Sequence, residues 1–377
     1  MTLPVTVIVP AYNAAHDLHL CLSALRAGEE QPHQLIVADD GSTDTTAEVA
    51  RGFGAEVVST GGPLGPARAR NLAAKRATGS VLVFFDADVV PHAATLRRLR
   101  AALEADPGLD AVIGAYDDAP AYADFLSQYK NLQHCFVHRN GLRQASTFWT
   151  GCGAVRRDVF LAHGGLSESY VKPSIEDVEF GARLVRAGAR IELDPAIQVK
   201  HLKRWTFRGL VRTDIFQRAV PWTELILREG KISNDLNLEV SQRVSAALVL
   251  LAVLTIVAGT WVAGPRFLAA VLAATCLTLA AFWLESPRRM ASAAVWIGTT
   301  AALWLAGAPL HQNAAPPAIA LATLIASALA LNANFFRFLA ERRGVPFALA
   351  AAPFFLLYLL YSSTTFALVT IRRKLPV

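Results

Sequence analysis

A chain of 377 residues with 53% hydrophobic side chains is long enough for two domains and too apolar to be wholly water-soluble, so part of it is expected in a membrane. Its net charge of +6 is unevenly spread: residues 243–377 hold ten Lys and Arg against two acids, whereas residues 1–242 hold 26 against 28. The basic excess flanks apolar segments, where it orients helices in a bilayer, and nucleic acid is not the expected partner.

The N-terminus, "MTLPVTVIVP", lacks the positive start and apolar length of a signal peptide, which predicts a cytoplasmic first domain. Short apolar runs then alternate with helical patterns. Strands are predicted over 5–11, 34–40, 55–60 and 81–88, with helices near 15–27, 43–52 and 66–78. This alternation implies βαβ units and an α/β fold with a mostly parallel, Rossmann-like sheet. Ligands of such sheets sit beyond the carboxyl ends of the strands.

Two strands end in paired acids. The second closes on Asp39 and Asp40, before a turn and helix cap formed by Ser42, Thr43 and Asp44. The fourth runs "VLVFF" into Asp86 and Asp88, two carboxylates on one side of an extended chain. Such a pair can share one divalent cation, or divide between a metal and a ribose hydroxyl, which offsets their repulsion.

Further along, residues 120–140 read as an amphipathic helix whose His134 and His138, four apart, lack a third ligand for zinc. "SIEDVEF" places Glu176, Asp177 and Glu179 at a helix start, where acids suit the helix dipole. Residues 205–230 mix Trp, Phe and Leu with Arg208, Arg212 and Arg218, as interfacial helices lying on the inner leaflet do. Cys21, Cys135, Cys152 and Cys276 show no metal-ligand spacing and are expected reduced.

Apolar runs of spanning length follow at 244–263, 267–284, 291–309, 316–333 and 346–370. Arg-bearing connections at 285–290 and 332–344 face inward and the one at 308–317 outward, so four crossings alternate well. The fifth run holds Pro353 and "YSSTT", and either crosses or re-enters. No charged residue lies within the runs, which argues against an ion path. The expected organisation is a first domain over 1–204, interfacial helices over 205–242 and a transmembrane domain over 243–377.

The segments "VIVPAYNAAHDL", "DDGSTD", "GPARARN", "FFDADVVP", "IEDVEFGARLVRAG" and "HLKRW" resemble, in order and spacing, those of family 2 glycosyltransferases, inverting enzymes of GT-A fold. The resemblance covers roughly residues 4–205. It implies that Pro10, Tyr12, Asp39, Asp40, Arg70 and Asp86 line the nucleotide-sugar site and that Asp88, with Asp86, binds Mg2+ or Mn2+. Asp177 is implied as the base, with Glu176 orienting it or binding the acceptor. "HLKRW" is similar to the Q-x-x-R-W of membrane-bound members, whose Gln and Arg hold the diphosphate and whose Trp meets the acceptor. Arg204 and Trp205 inherit those roles, while His201 replaces Gln and either binds diphosphate or metal, or packs.

The expected activity is transfer from a UDP- or GDP-sugar to a lipid or polyprenyl-phosphate acceptor at the inner leaflet. The protein would be integral to the inner or plasma membrane, with Arg212 and Arg218 gripping an anionic headgroup. A processive polysaccharide synthase of the cellulose or hyaluronan type and a catalytically silent scaffold are the alternatives.

Overall fold

The computed structural model describes residues 2–230, 239–263 and 315–374; the apolar runs 267–284 and 291–309, and Cys276, lie outside the described residues. The chain divides into two compact units, Met1–Leu236 and Asn237–Val377.

In the first unit, β1 (Val5–Ala11), α1 (Ala15–Arg26), β2 (Gln34–Asp39), α2 (Thr46–Gly52), β3 (Glu56–Ser59), α3 (Pro66–Arg76) and β4 (Val81–Phe85) follow the predicted order. The strands β3, β2, β1 and β4 are adjacent and parallel, with Ala11 opposite Asp39 and Asp39 opposite Ser59. The sheet then changes sense. Past β4 it continues through β7 (Cys152–Arg156), β6 (Ala111–Tyr116), β8 (Ile191–His201) and β5 (Val89–Pro91), giving eight strands in the order β3-β2-β1-β4-β7-β6-β8-β5. Strand β7 lies antiparallel to both β4 and β6, and β5 antiparallel to β8, so the sheet is mixed.

The central strands are buried on both faces, which is why they read as continuous apolar runs rather than alternating ones. Small residues bring helices close to them. On α3, Ala67, Ala69, Ala73 and Ala74 are fully buried beside Ile8, Ile36 and Phe84. On α7 (Glu176–Arg186), Gly181 faces the chain at Thr147 and Phe148 so closely that an added Cβ would lie 2.0 Å from the Phe148 nitrogen.

Beyond α4 (Thr95–Ala105), α5 (Phe125–Asn140) and α6 (Arg157–Ala162), the chain leaves β8 into α8 (Phe207–Arg212), a π-helical stretch (Thr213–Ala219) and α9 (Val220–Glu229). Trp205, Leu210 and Leu225 are buried here, whereas Phe207 and Phe216 are exposed.

In the second unit, α10 (Val240–Ala263) accompanies helices Ala315–Ala330, Ala333–Arg343 and Val345–Lys374. Two helical stretches, Val240–Trp261 and Val345–Arg373, are long and apolar enough to cross a membrane. The second of these passes through Pro353 as one continuous helix instead of turning back. The stretch at 332–344, read in the sequence as a connection, is itself helical and lies at 67° to the helix before it. Asn332 sits at that bend, donating to Ser245 Oγ at 2.8 Å and to the Ala328 carbonyl at 2.8 Å, and accepting from Gln242 Nε2 at 2.6 Å.

Candidate active site

The carboxyl ends of β1, β2 and β4 open on one edge of the sheet, where the acids collect. Asp39 ends β2 and accepts from the Ser42 N–H at 3.1 Å, forming the predicted turn. Asn13, at a left-handed φ of 48°, ties the segment after β1 to that turn: its Oδ1 accepts from Thr43 N at 2.7 Å. Pro10 is half-buried in β1, and Tyr12 stands 53% exposed beyond it. Asp40 is committed to the backbone. Its oxygens accept from Thr60 Oγ1 (2.8 Å), Leu64 N (3.0 Å) and Gly65 N (2.8 Å), so it shapes the loop that starts α3.

Arg70 on α3 is buried and joins two distant acids. Its guanidinium pairs with Asp86 after β4 and, at 3.3 Å, with Glu176 at the start of α7. Burial opposes its charge, but Asp86, Glu176 and Asp177 outweigh that and raise its pKa above the usual value. Glu176 spends its other oxygen on the Ser174 N–H at 2.9 Å. Its place is therefore behind the site, holding Arg70.

Asp177 is half-buried and differently placed. Its Oδ2 accepts from Thr150 N at 3.1 Å and Thr150 Oγ1 at 3.3 Å. Burial, reinforced by the neighbouring Glu176 charge, pushes its pKa up to about 7. A carboxylate with that pKa can take a proton at neutral pH.

Asp88 and His201 face each other, with Nε2 3.5 Å from Asp88 Oδ2. The imidazole stacks on Tyr116, with ring centroids 4.4 Å apart. Burial works against the Asp88 charge, but His201 and Lys203 hold its pKa below the ordinary value. The tautomer of His201 follows from its neighbours. Indole Nε1 of Trp205 can only donate, so the Asn131 atom 3.4 Å away is oxygen, and the same Oδ1 lies 2.6 Å from His201 Nδ1. Nδ1 therefore carries a proton, and Nε2 is the nitrogen that faces Asp88.

Of the remaining expected residues, Trp205 adjoins this centre through Asn131, and Arg218 sits beside Trp205. Trp205 is buried, its backbone N–H bonded to Ser127 Oγ at 2.8 Å. Arg204 is 68% exposed, 3.7 Å from Asp124. Arg212 is exposed, and Arg218 contacts His134 at 2.8 Å. His134 and His138 both stack on Tyr116 and, among the described residues, belong to no metal-binding group. Thr150, Tyr116 and Asn131 were not singled out in the sequence; an uncharged Thr in "WTGCG" carries no signal of a carboxylate 27 residues away.

Residues 6–164 match the family model described as glycosyl transferase family 2. Glycosyltransferase AglE of Haloferax volcanii is 29% identical over 201 residues, which are 50% of this chain and 63% of AglE, so the chain spans less than two thirds of that relative. O-antigen chain rhamnosyltransferase WbaN of Salmonella anatum is 26% identical over 58% of this chain and 74% of its own length. Among solved structures, mannosyltransferase PcManGT from Pyrobaculum calidifontis, in complex with GDP-Man and Mn2+, shares the fold with a TM-score of 0.52 at 21% identity, covering 94% of this chain and 88% of that one. With its mixed sheet and its acids at the strand ends, the first unit has the GT-A fold, and residues 6–164 within it match the glycosyl transferase family 2 model.

Proposed function

We propose that the protein transfers a sugar, with inversion, from a UDP- or GDP-sugar to a lipid or polyprenyl-phosphate acceptor at the inner leaflet, using Mg2+ or Mn2+. The observation that carries the reading is the Arg70 bridge, which gathers Asp86 after β4 and Glu176 from α7 and brings together the segments that bear Asp88 and Asp177, neither of which it engages. A relative named an O-antigen chain rhamnosyltransferase, and a fold neighbour described with GDP-Man and Mn2+, support this reading.

Asp88 and His201 fit a divalent ion. A hard carboxylate oxygen and an imidazole nitrogen face one another, both of them ligand atoms when the ring is neutral, and Mg2+ or Mn2+ commonly takes its further ligands from substrate phosphates and water. Two protein ligands therefore suffice. Bound there, the ion supplies positive charge for the departing diphosphate.

The other roles belong to the chain itself. Asp39 and Tyr12 border the nucleotide, Asp40 acts through the loop it shapes, and Pro10 and Arg70 support the same side. Asp177 takes the proton of an acceptor hydroxyl as the new glycosidic bond forms and the bond to diphosphate breaks; a phosphate acceptor brings no such proton. Trp205, Arg212 and Arg218 are assigned to the diphosphate and acceptor side.

A thermal-shift panel of UDP- and GDP-sugars, with and without Mn2+, tests the reading. A donor at a hundred times its Kd adds about 2.7 kcal/mol to stability. A panel in which no nucleotide sugar raises Tm in the presence of metal refutes it.

A further inference from the structure

Two cations approach the same indole. Lys203 Nζ lies 4.4 Å from the Trp205 ring centroid, and Arg218 Cζ lies 6.0 Å from it. Arg218 is held from behind: its Nη1 donates to His134 Nε2 at 2.8 Å and sits 3.4 Å from Asp214 Oδ1. Because arginine can only donate, His134 accepts here and is neutral. Burial, then the charges of Arg218 and Lys130, keep its pKa well below the usual value. The imidazole thus fixes the guanidinium without cancelling its charge.

Asp214 does not cancel it either, since Asp214 also takes the ammonium of buried Lys130 at 2.7 Å. Lys203 is half-buried, and among the described residues it makes no ion pair within salt-bridge distance. Among the described residues Asp214 is the one carboxylate within salt-bridge distance of Arg218 and it also serves Lys130, while Asp88 and Asp86 act on Lys203 only from farther away. Excess charge of this kind, partly removed from water, is costly unless an anion covers it.

The cluster borders the metal-type edge of the site. Strand β8 brings His201 opposite Val89, and the Leu202 N–H donates to the Asp88 carbonyl at 2.8 Å, so Lys203 follows directly after the segment that flanks Asp88. Arg204 points elsewhere. It is 68% exposed, beside Asp124 and 5.8 Å from the Tyr122 ring centroid.

We propose that Lys203 and Arg218, rather than Arg204, form the phosphate-gripping pair of this site and take a phosphate or diphosphate group next to Trp205. The anion comes either from the donor or from a phosphate-bearing acceptor. Only its source rests on the transferase reading above; the binding itself is measurable without metal.

The test is calorimetric titration of the full chain in neutral detergent with inorganic pyrophosphate in EDTA. Lys203→Met and Arg218→Gln should each weaken binding about tenfold or more, as loss of a charge-assisted bond does. Lys203→Arg and Arg218→Lys keep the charge and should recover most of it, which separates a lost contact from a misfolded chain. Arg51→Gln, exposed on α2, controls for net charge and should change affinity less than about twofold. Titrations with UDP or GDP and with dodecyl phosphate then identify the source: the probe weakened in the Lys203 and Arg218 variants is the class of anion held. Pyrophosphate binding that is absent in the parent, or unchanged in both neutral variants, overturns the proposal. Asp88→Ala, run alongside, isolates the donor reading, which fails if Mn2+-dependent nucleotide binding survives there.

Discussion

Thr150 donates twice to the same oxygen of Asp177, through its backbone N–H at 3.1 Å and its hydroxyl at 3.3 Å. Those bonds favour the ionised form, yet burial and Glu176 more than offset them and the pKa stands at about 7. Asp177 is thus a carboxylate half in its basic form at neutral pH.

Asp177→Asn should lower turnover by about 10²–10⁴-fold with donor affinity retained. In the parent protein the rate with a hydroxyl acceptor should fall as pH drops through about 7, because the base becomes protonated. Thr150→Val removes one bond to the ionised form and should move that acid limb to higher pH. A pH–rate profile of the three proteins checks all of this; an unshifted limb in Thr150→Val separates Thr150 from the base.

The same pKa predicts a cost in stability. A folded-state pKa raised from 3.8 to about 7 means that the folded protein binds more protons than the unfolded chain between those pH values, so stability falls as pH rises through that window. Above about pH 7, Asp177→Asn should therefore melt a few degrees higher than the parent. Thermal melts at pH 5 and pH 8 check it, and the gain should shrink at pH 5.

Asp88→Ala should remove metal-dependent nucleotide binding without unfolding the domain, since its side chain is 34% exposed at a strand end. Calorimetry with UDP or GDP and Mn2+ reads the first effect and the melting curve the second. Unchanged Mn2+-dependent binding would place the ion elsewhere.

Gly181→Ala should be severely destabilising, by about 3 kcal/mol or more, because the new methyl group would lie 2.0 Å from the Phe148 nitrogen, with Thr147 backbone atoms behind it. Helix α7 would have to leave the sheet, carrying Glu176 and Asp177 with it. Denaturant unfolding measures the loss; Gly52→Ala, where a Cβ meets nothing within 4 Å, is the matched control.

The parallel half of the sheet was legible because each strand is a local signal: an apolar run closed by acids or a turn. Strands β1 to β3 fall where the pattern puts them, whereas β4 stops at Phe85, short of the expected residue 88, so Asp86 and Asp88 lie in a turn and take different partners, Arg70 and His201, instead of sharing one side of an extended chain. Strands β6, β7 and β8 carry no such signature, since "AVIGAY" or "CGAVR" acquires its place only by pairing with residues 40 to 83 positions away. The site divides in the same way. Asp39, Asp86 and Asp88 announce themselves as charges at apolar strand ends, but the commitment of Asp40 to a loop, the tautomer of His201 and the company kept by Lys203 depend on Thr60, Asn131 and Arg218, which no local spacing brings together.

Asn332 gives the apolar unit a consequence of its own. Its amide group engages Gln242 and Ser245 on α10 as well as the Ala328 carbonyl of its own segment. Apolar contacts between smooth helices barely distinguish one alignment from the next, whereas sliding α10 by a single residue would shift it about 1.5 Å and turn it about 100°. Both polar partners would then face away from the amide, leaving its oxygen and one of its N–H groups unsatisfied in an apolar setting. The clasp therefore works as an index pin, fixing how α10 is rotated and how far along its neighbour it stands.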